Sequence, residues 1–288
     1  MPELPEVETV RLQLLHKVAG KKIESVEVFH RKTVGHDATI EDQLRGKTIA
    51  HIDRVGKMLI FSFVDASDTF LLAHLKMTGQ FFFVDTRGGI VGGGHSMTKA
   101  DFNDLPNKHT RVAFHFSDSS TLFFNDMRLF GYTKVVDQAA ATHARSQFGP
   151  EPIDPDFDRD WFAKKLRTRK TSVKAALLDQ SFVAGLGNIY VDEALWRAQV
   201  RPTRRANKVT KAEALVLAAA AGDVMRESIA VGGTTFQHFV DTDGATGNFT
   251  AALKVFGKQG TPCSRCGTMI KKIRVAGRGT HYCPGCQK

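Results

Sequence analysis

The sequence predicts an α+β chain of several domains: a β-rich N-terminal part, a helical middle and a short C-terminal β-hairpin. Three observations carry that expectation. From Ile23 to about Val136, short apolar and aromatic runs alternate with turn residues. In "RVAFHF", Val112, Phe114 and Phe116 recur with the period of two that marks a half-buried strand. Beyond "FGPEPIDPDF" (148–157), which holds three prolines, the period becomes helical. All four cysteines lie in the last 26 residues, as two C-x2-C pairs.

The chain opens "MPELPEVETVRLQLL". Leu4 precedes a proline and is biased toward extended geometry, whereas Pro5 suits the first turn of a helix. Val7, Val10 and Leu14 then share one face of that helix, which docks it. The runs "KMLIFSFV", "TFLLAHL" and "STLFFN" follow as strands, and repeated short strands of this kind argue for a sandwich or barrel. Residues 86–108, with five glycines, read as a long mobile loop. "DRDWFAKKLRTR" has the acidic start and basic finish that a helix dipole favours. "TKAEALVLAAAAGDVMRESIAVGG" opens on Thr210 as N-cap with Glu213 three residues on, and closes at Gly232 and Gly233. In "DQSFVAGLGNIYVDEALW", Gly185 and Gly187 form a sharp turn into a helix that begins near Asn188. Backbone amides there, beside the Asn188 side chain, make a phosphate seat. Arg167, Arg169, Lys170 and Lys174 add positive charge nearby.

Forty Lys and Arg against thirty Asp and Glu leave a net charge of +10. Such an excess favours a polyanionic partner, because each cation placed on a phosphate releases a condensed counterion. Cys263-Ser-Arg-Cys266 and Cys283-Pro-Gly-Cys286 stand 16 residues apart, the arrangement of two knuckles that place four thiolates on one tetrahedral zinc ion. Four thiolates leave no open coordination position, so this ion organises rather than catalyses. Between the knuckles, "IKKIRV" and "THYC" read as a hairpin with Arg278 at its tip between two glycines, a phosphate clamp. No apolar run approaches the roughly 20 residues needed to span a bilayer. The N-terminus lacks a secretory pattern, so a cytoplasmic monomer without membrane association is expected.

Taken together, "MPELPEVETV", "GKMLIF", "HLKMTG", "NKHTRV", "DMRLFG", "GPEP", "LLDQSFVAGLGNIYVDEAL", "GGTTF" and "GRGTHYCPGCQK" resemble the bacterial formamidopyrimidine-DNA glycosylase family. These enzymes of base-excision repair remove 8-oxoguanine and ring-opened purines. The matches run from the first residue to the last in the family's order. The resemblance implies an N-terminal β-sandwich with its leading helix over 1–147, a helix-two-turn-helix DNA-binding domain over 148–252 and a zinc finger over 253–288. It implies double-stranded DNA with oxidised bases or abasic sites as the partner.

The resemblance also gives the opening residues a purpose. Removal of Met1 exposes Pro2 as a secondary amine. A free α-amine titrates at roughly 7.7–8.0, which leaves on the order of a tenth neutral at pH 7. Such an amine can attack an anomeric carbon and leave an iminium. Glu3 stands beside it to pass protons to the sugar oxygen or the leaving base, and Glu6 organises the site. By family resemblance the damaged nucleotide is flipped out, Pro2 displaces the base at C1′, and β- and δ-elimination cut the strand. Lys57 matches the family's lysine that contacts the lesion and aids the first elimination. Arg278 matches the finger arginine that grips the flanking phosphate and is linked to the second. Met77, Arg128 and Phe130 match the residues that fill the hole left by flipping, and His109, Arg169 and Asn188 match DNA-backbone contacts.

Leu129 stands where many relatives carry a second basic residue, which puts one backbone contact or some opposite-base preference in question. A lesion-capping segment is expected within 241–249. Two other readings compete with the oxidised-purine glycosylase and AP lyase. One is the related endonuclease VIII type, which prefers oxidised pyrimidines; the other is a non-catalytic zinc protein that senses DNA damage.

Overall fold

The structure, a computed structural model, describes residues 2–64, 66–93, 104–234 and 249–288. The chain divides into two compact units, residues 1–146 with 231–248, and residues 147–230 with 249–288. The proposed lesion-capping segment, apart from Phe249, and residues 94–103 of the glycine-rich loop lie outside the described residues.

In the first unit, helix α1 (Leu4–Val18) has Pro5 in its opening turn, and Leu4, Val7, Val10, Leu14 and Val18 are buried along it. A helix of this length stands mainly through tertiary burial of such a face. Two antiparallel sheets supply that burial. One runs in the order β1-β7-β8-β5-β6: Ile23–Val28, Thr110–Phe116, Thr121–Asp126, Gly79–Val84 and Ile90–Gly93. The other runs β2-β3-β4-β9: Ile49–Val55, Met58–Phe63, Ala66–His74 and Tyr132–Val136.

One apolar core joins Phe61 and Phe63 of the second sheet to Phe81, Phe83, Phe114, Phe116 and Phe124 of the first, with Val7, Val10 and Leu14 from α1. The Phe81 ring lies 5.0 Å from Phe124 and 5.9 Å from Phe61, in the tilted arrangements aromatic quadrupoles favour. The alternation read in "RVAFHF" is therefore that of a sandwich's inner face. The glycine-rich stretch is not all loop, since Ile90–Gly93 pairs with β5. Helix α2 (Ile40–Leu44) buries Ile40 and Leu44. Helix α3 (Gln138–Ser146) buries only Ala141, so no apolar period announces it in the sequence.

The second unit is helical and ends in a hairpin. Asp158 caps α4 (Arg159–Leu166) by accepting from the Trp161 N–H at 2.8 Å. Ser172 caps α5 (Val173–Leu178), and α6 (Asn188–Arg197) follows the glycine turn. Ahead of α7 (Lys211–Ala230), Glu213 Oε2 accepts from the Thr210 N–H at 2.8 Å, and Thr210 Oγ1 accepts from the Glu213 N–H at 3.2 Å. This is the reciprocal box that the sequence predicts. After the short helix α8 (Phe249–Ala252), β10 (Lys271–Val275) pairs antiparallel with β11 (Arg278–Tyr282). Helix α6 packs on α5, α7 and β11.

Candidate active site and nucleic-acid interface

The first unit holds its N-terminus rigidly. Pro2 is buried and Glu3, the N-cap of α1, is only 2% exposed. Glu6 fastens them with both oxygens. Its Oε2 accepts from the Glu3 N–H at 2.8 Å, while Oε1 accepts from the N–H and hydroxyl of Thr234, each at 2.8 Å. The left-handed φ of +88° at Gly233 and the 3.1 Å that would separate an added Cβ from Glu6 Oε1 explain the glycine before Thr234.

Lys57, 5% exposed, lies in the turn between β2 and β3. Arg54 anchors that turn, donating Nη1 to the Gly56 carbonyl at 2.9 Å and Nε to Glu8 Oε2 at 2.8 Å. Glu8 lies on α1 and also binds Arg11 at 2.6 Å. Burial pushes the Glu8 carboxyl up, but the hydrogen bonds from Arg11 and Arg54 hold it below the usual range. Thus one carboxylate couples the helix that follows Pro2 to the turn that carries Lys57.

Met77, Arg128 and Phe130 come together on the surface of this unit. The Arg128 guanidinium lies 4.8 Å from the Phe130 ring centroid, and its Nη1 donates to Met77 Sδ at 3.1 Å. Phe130 is 49% exposed. The two loops meet at Asp126, which is fully buried. Its carboxylate accepts from the Thr78 hydroxyl, from the Arg128 N–H at 3.1 Å and from the Gly131 N–H at 2.7 Å. Each loop holds a non-glycine residue in the left-handed region: Lys76 at φ +51° ahead of Met77, and Leu129 at φ +57° between Arg128 and Phe130. Such conformations persist where the surroundings over-determine them. His109 sits nearby in the chain's fold, its carbonyl accepting from the Asp126 N–H at 2.9 Å.

In the second unit the four cysteine sulfurs lie within 4.8 Å of one another. Zinc–sulfur bonds of about 2.3 Å in a tetrahedron require sulfurs roughly 3.8 Å apart. Cys266 and Cys283 stand at 3.5 Å, and Cys263 and Cys286 at 3.9 Å. Four thiolates at that spacing need a cation, and N–H donors already face the sulfurs: Trp196 Nε1 to Cys263 at 3.4 Å and the Cys286 amide to Cys283 at 3.4 Å. These cysteines hold one structural zinc ion.

Arg278 is exposed at the start of β11. Its neighbour Gly279 ties the hairpin to the glycine turn, accepting through its carbonyl from Asn188 Nδ2 at 3.0 Å. The Asn188 amide therefore faces the hairpin, and Gly185, Leu186 and Gly187 are buried. Arg169 is half-buried, bound to Asp179 at 2.7 Å and lying 4.4 Å from the Phe182 ring centroid. Lys174 is not a surface cation. It is fully buried and ion-paired with the equally buried Asp192 at 2.7 Å. Asp192 also accepts from the His281 N–H at 2.8 Å, which joins α5, α6 and β11 in one polar knot.

Asp126, Glu8, Arg54, Thr234 and the Lys174–Asp192 pair escape sequence reasoning. Only the "GGTTF" stretch hints at one of them. Among the described residues, no helix is long and apolar enough to cross a membrane.

Comparison with known proteins covers the chain from end to end. Residues 1–133 match the family model of the formamidopyrimidine-DNA glycosylase N-terminal domain, 148–240 that of its H2TH domain, and 260–288 that of a zinc finger found in FPG and IleRS. A formamidopyrimidine-DNA glycosylase of Ligilactobacillus salivarius is 40% identical over 293 residues, covering 100% of this chain and 99% of the relative. One of Exiguobacterium sibiricum is 41% identical with the same coverage. The Lactococcus lactis Fpg solved with abasic-site DNA superposes at a TM-score of 0.87, with 36% identity and full coverage of both chains.

Two substitutions test this geometry. Asp126→Asn leaves one of its three donors without an acceptor and is expected to lower unfolding free energy by about 1–3 kcal/mol, read from the urea midpoint at unchanged slope. Lys174→Ala strands a buried carboxylate and is expected to cost about 3–5 kcal/mol in the same measurement.

Proposed function

The chain belongs to the formamidopyrimidine-DNA glycosylase family, and from that premise we propose that it is a bifunctional DNA glycosylase and AP lyase that excises oxidised purines from double-stranded DNA. It acts as a monomer in the cytoplasm, on DNA flipped open at the lesion. The observation that supports this reading best is the buried, doubly fastened N-terminus. A chain end is ordinarily frayed, whereas a nucleophile must be held in line with its target.

With Met1 removed, the Pro2 nitrogen donates its lone pair to C1′ and forms a new N–C bond. The electrons of the glycosidic bond leave with the base, which takes up the proton that the Pro2 nitrogen loses. Glu3, the neighbouring acid, protonates the ring oxygen as the nitrogen lone pair opens the sugar to the iminium. Lys57 then serves the β-elimination and Arg278 the δ-elimination, the latter while holding a flanking phosphate. Met77, Arg128 and Phe130 fill the vacated stack, the methionine and phenylalanine as apolar wedges and the arginine by hydrogen bonds to the widowed base. His109, Arg169 and Asn188 serve the backbone. Arg169 does so with part of its charge already engaged by Asp179. Asn188 does so by holding the Arg278 tip through Gly279. Zinc, bound by Cys263, Cys266, Cys283 and Cys286, supplies a rigid base for that tip and no reactive position.

Borohydride added during reaction with 8-oxoguanine duplex is expected to trap a covalent protein–DNA adduct, and Pro2→Gly is expected to abolish it. A correctly trimmed protein that cuts the duplex without ever being trapped overturns the mechanism. Neither cutting nor trapping would favour the non-catalytic damage sensor.

Lesion preference is a separate question, because a Lactococcus lactis relative of this family was also solved with DNA containing an oxidised pyrimidine. Cleavage rates on 8-oxoguanine opposite cytosine are expected to exceed those on thymine glycol opposite adenine. The reverse order assigns the chain to the pyrimidine specificity of the endonuclease VIII type.

A further inference from the structure

Outside the residues assigned above, the first unit gathers positive charge at one end of its four-stranded sheet. Met58 of β3 lies opposite His74 of β4, and His74 lies opposite Tyr132 of β9. These three residues form one row across the sheet, with strands about 4.8 Å apart. Lys57 precedes Met58 and Lys76 follows His74, so both emerge at the same end as Tyr132. Lys134 follows two residues after Tyr132, on the same face of β9.

Both lysines use the Tyr132 ring. The Lys76 Nζ lies 5.8 Å from its centroid and the Lys134 Nζ 5.3 Å, within reach of a cation–π attraction. The His74 ring stands 5.9 Å from Tyr132 on the neighbouring strand. The stem of Lys134 runs over Gly35, where an added Cβ would meet its Cε at 3.0 Å. Neither ammonium group has a carboxylate or hydrogen-bond partner among the described residues. The positive charge at this end of the sheet also shows in the imidazole of His74. Burial, and then the ammonium groups of Lys76 and Lys57, lower it to about 3.

Two cations on one ring, neither with a carboxylate or hydrogen-bond partner among the described residues, repel one another and gain stability when an anion enters. From this juxtaposition we infer that Lys76, Tyr132 and Lys134 form a seat for one phosphodiester of the DNA strand, adjoining the Lys57 turn. The inference rests on the DNA-cleaving reading above and extends it with a contact that the proposed chemistry does not use. Tyr132 holds the two flexible lysine stems in place, so that less conformational freedom is lost when the phosphate arrives.

The test is equilibrium binding to a duplex carrying a tetrahydrofuran abasic analogue, followed by fluorescence anisotropy across a potassium chloride series. For the double variant Lys76→Gln with Lys134→Gln, the slope of log K against log salt is expected to be shallower than wild type by roughly 0.9, the value for one lost phosphate contact. Tyr132→Leu keeps both charges and is expected to weaken binding several-fold at fixed salt. An unchanged slope in the double variant overturns the seat, and wild-type affinity in Tyr132→Leu removes the ring from it. Borohydride trapping by the wild-type protein reports separately on the catalytic reading. An adduct together with an unchanged slope sinks the seat alone, whereas no adduct sinks the catalytic reading.

Discussion

The carboxylate of Glu6 is the constraint on which the opening turn of this chain depends. A chain end is mechanically exposed, because it has chain on one side only. Burial of Leu4, Val7 and Val10 locates α1 on the sheets, yet apolar packing alone is non-directional. Glu6 adds direction. One oxygen fixes the amide of Glu3 and the other fixes Thr234, so the residues next to Pro2 are held from two sides.

The same logic recurs at the Lys57 turn and at the loops of Met77, Arg128 and Phe130. Glu8 and Arg54 brace the Lys57 turn from α1. Asp126 braces the loops of Met77 and of Arg128 with Phe130, holding Lys76 and Leu129 at positive φ in spite of their side chains. Gly131 fits there because an added Cβ would come within 2.9 Å of the Phe124 ring. In each case an acid, partly buried at Glu8 and fully buried at Asp126, accepts several backbone or side-chain donors. A fully satisfied acid of this kind resists displacement, since removing it leaves buried donors unpaired. The exposed arginine and aromatic groups are thus mounted on rigid supports, and their strain is balanced by buried hydrogen bonds rather than by ligand.

What was legible in the sequence was local. Thr210 with Glu213, Pro5 ahead of Val7, Val10 and Leu14, the alternation of Val112, Phe114 and Phe116, and the two cysteine pairs each encode a geometry within a few residues. The supports are long-range. Thr234 meets Glu6 across 228 residues, and Asn188 meets Gly279 across 91. Charge was the poorest guide. Lys174 stands in a basic run that reads as solvated, yet Asp192, 18 residues on, draws it fully inside. Arg169 reads as a free cation, but Asp179 takes part of its charge. Composition counts cations, and only the fold tells which of them are already spent.

The Lys174–Asp192 pair shows why such spending is useful. Two buried charges seldom stabilise a fold more than apolar residues of the same volume would. Their value here lies in direction. Asp192 takes Lys174 with one oxygen and the His281 amide with the other, so α5 and β11 are set in register through α6. An apolar contact would let the hairpin slide by a fraction of a residue, and with it the tip that carries Arg278. The zinc ion fixes the base of the hairpin through Cys283 and Cys286, just beyond β11. Asn188 Nδ2 at 3.0 Å and Lys174 Nζ at 3.5 Å, both on the Gly279 carbonyl, fix its other end. A hairpin pinned at both ends can carry one exposed arginine to a defined place, which a surface loop with the same sequence could not do.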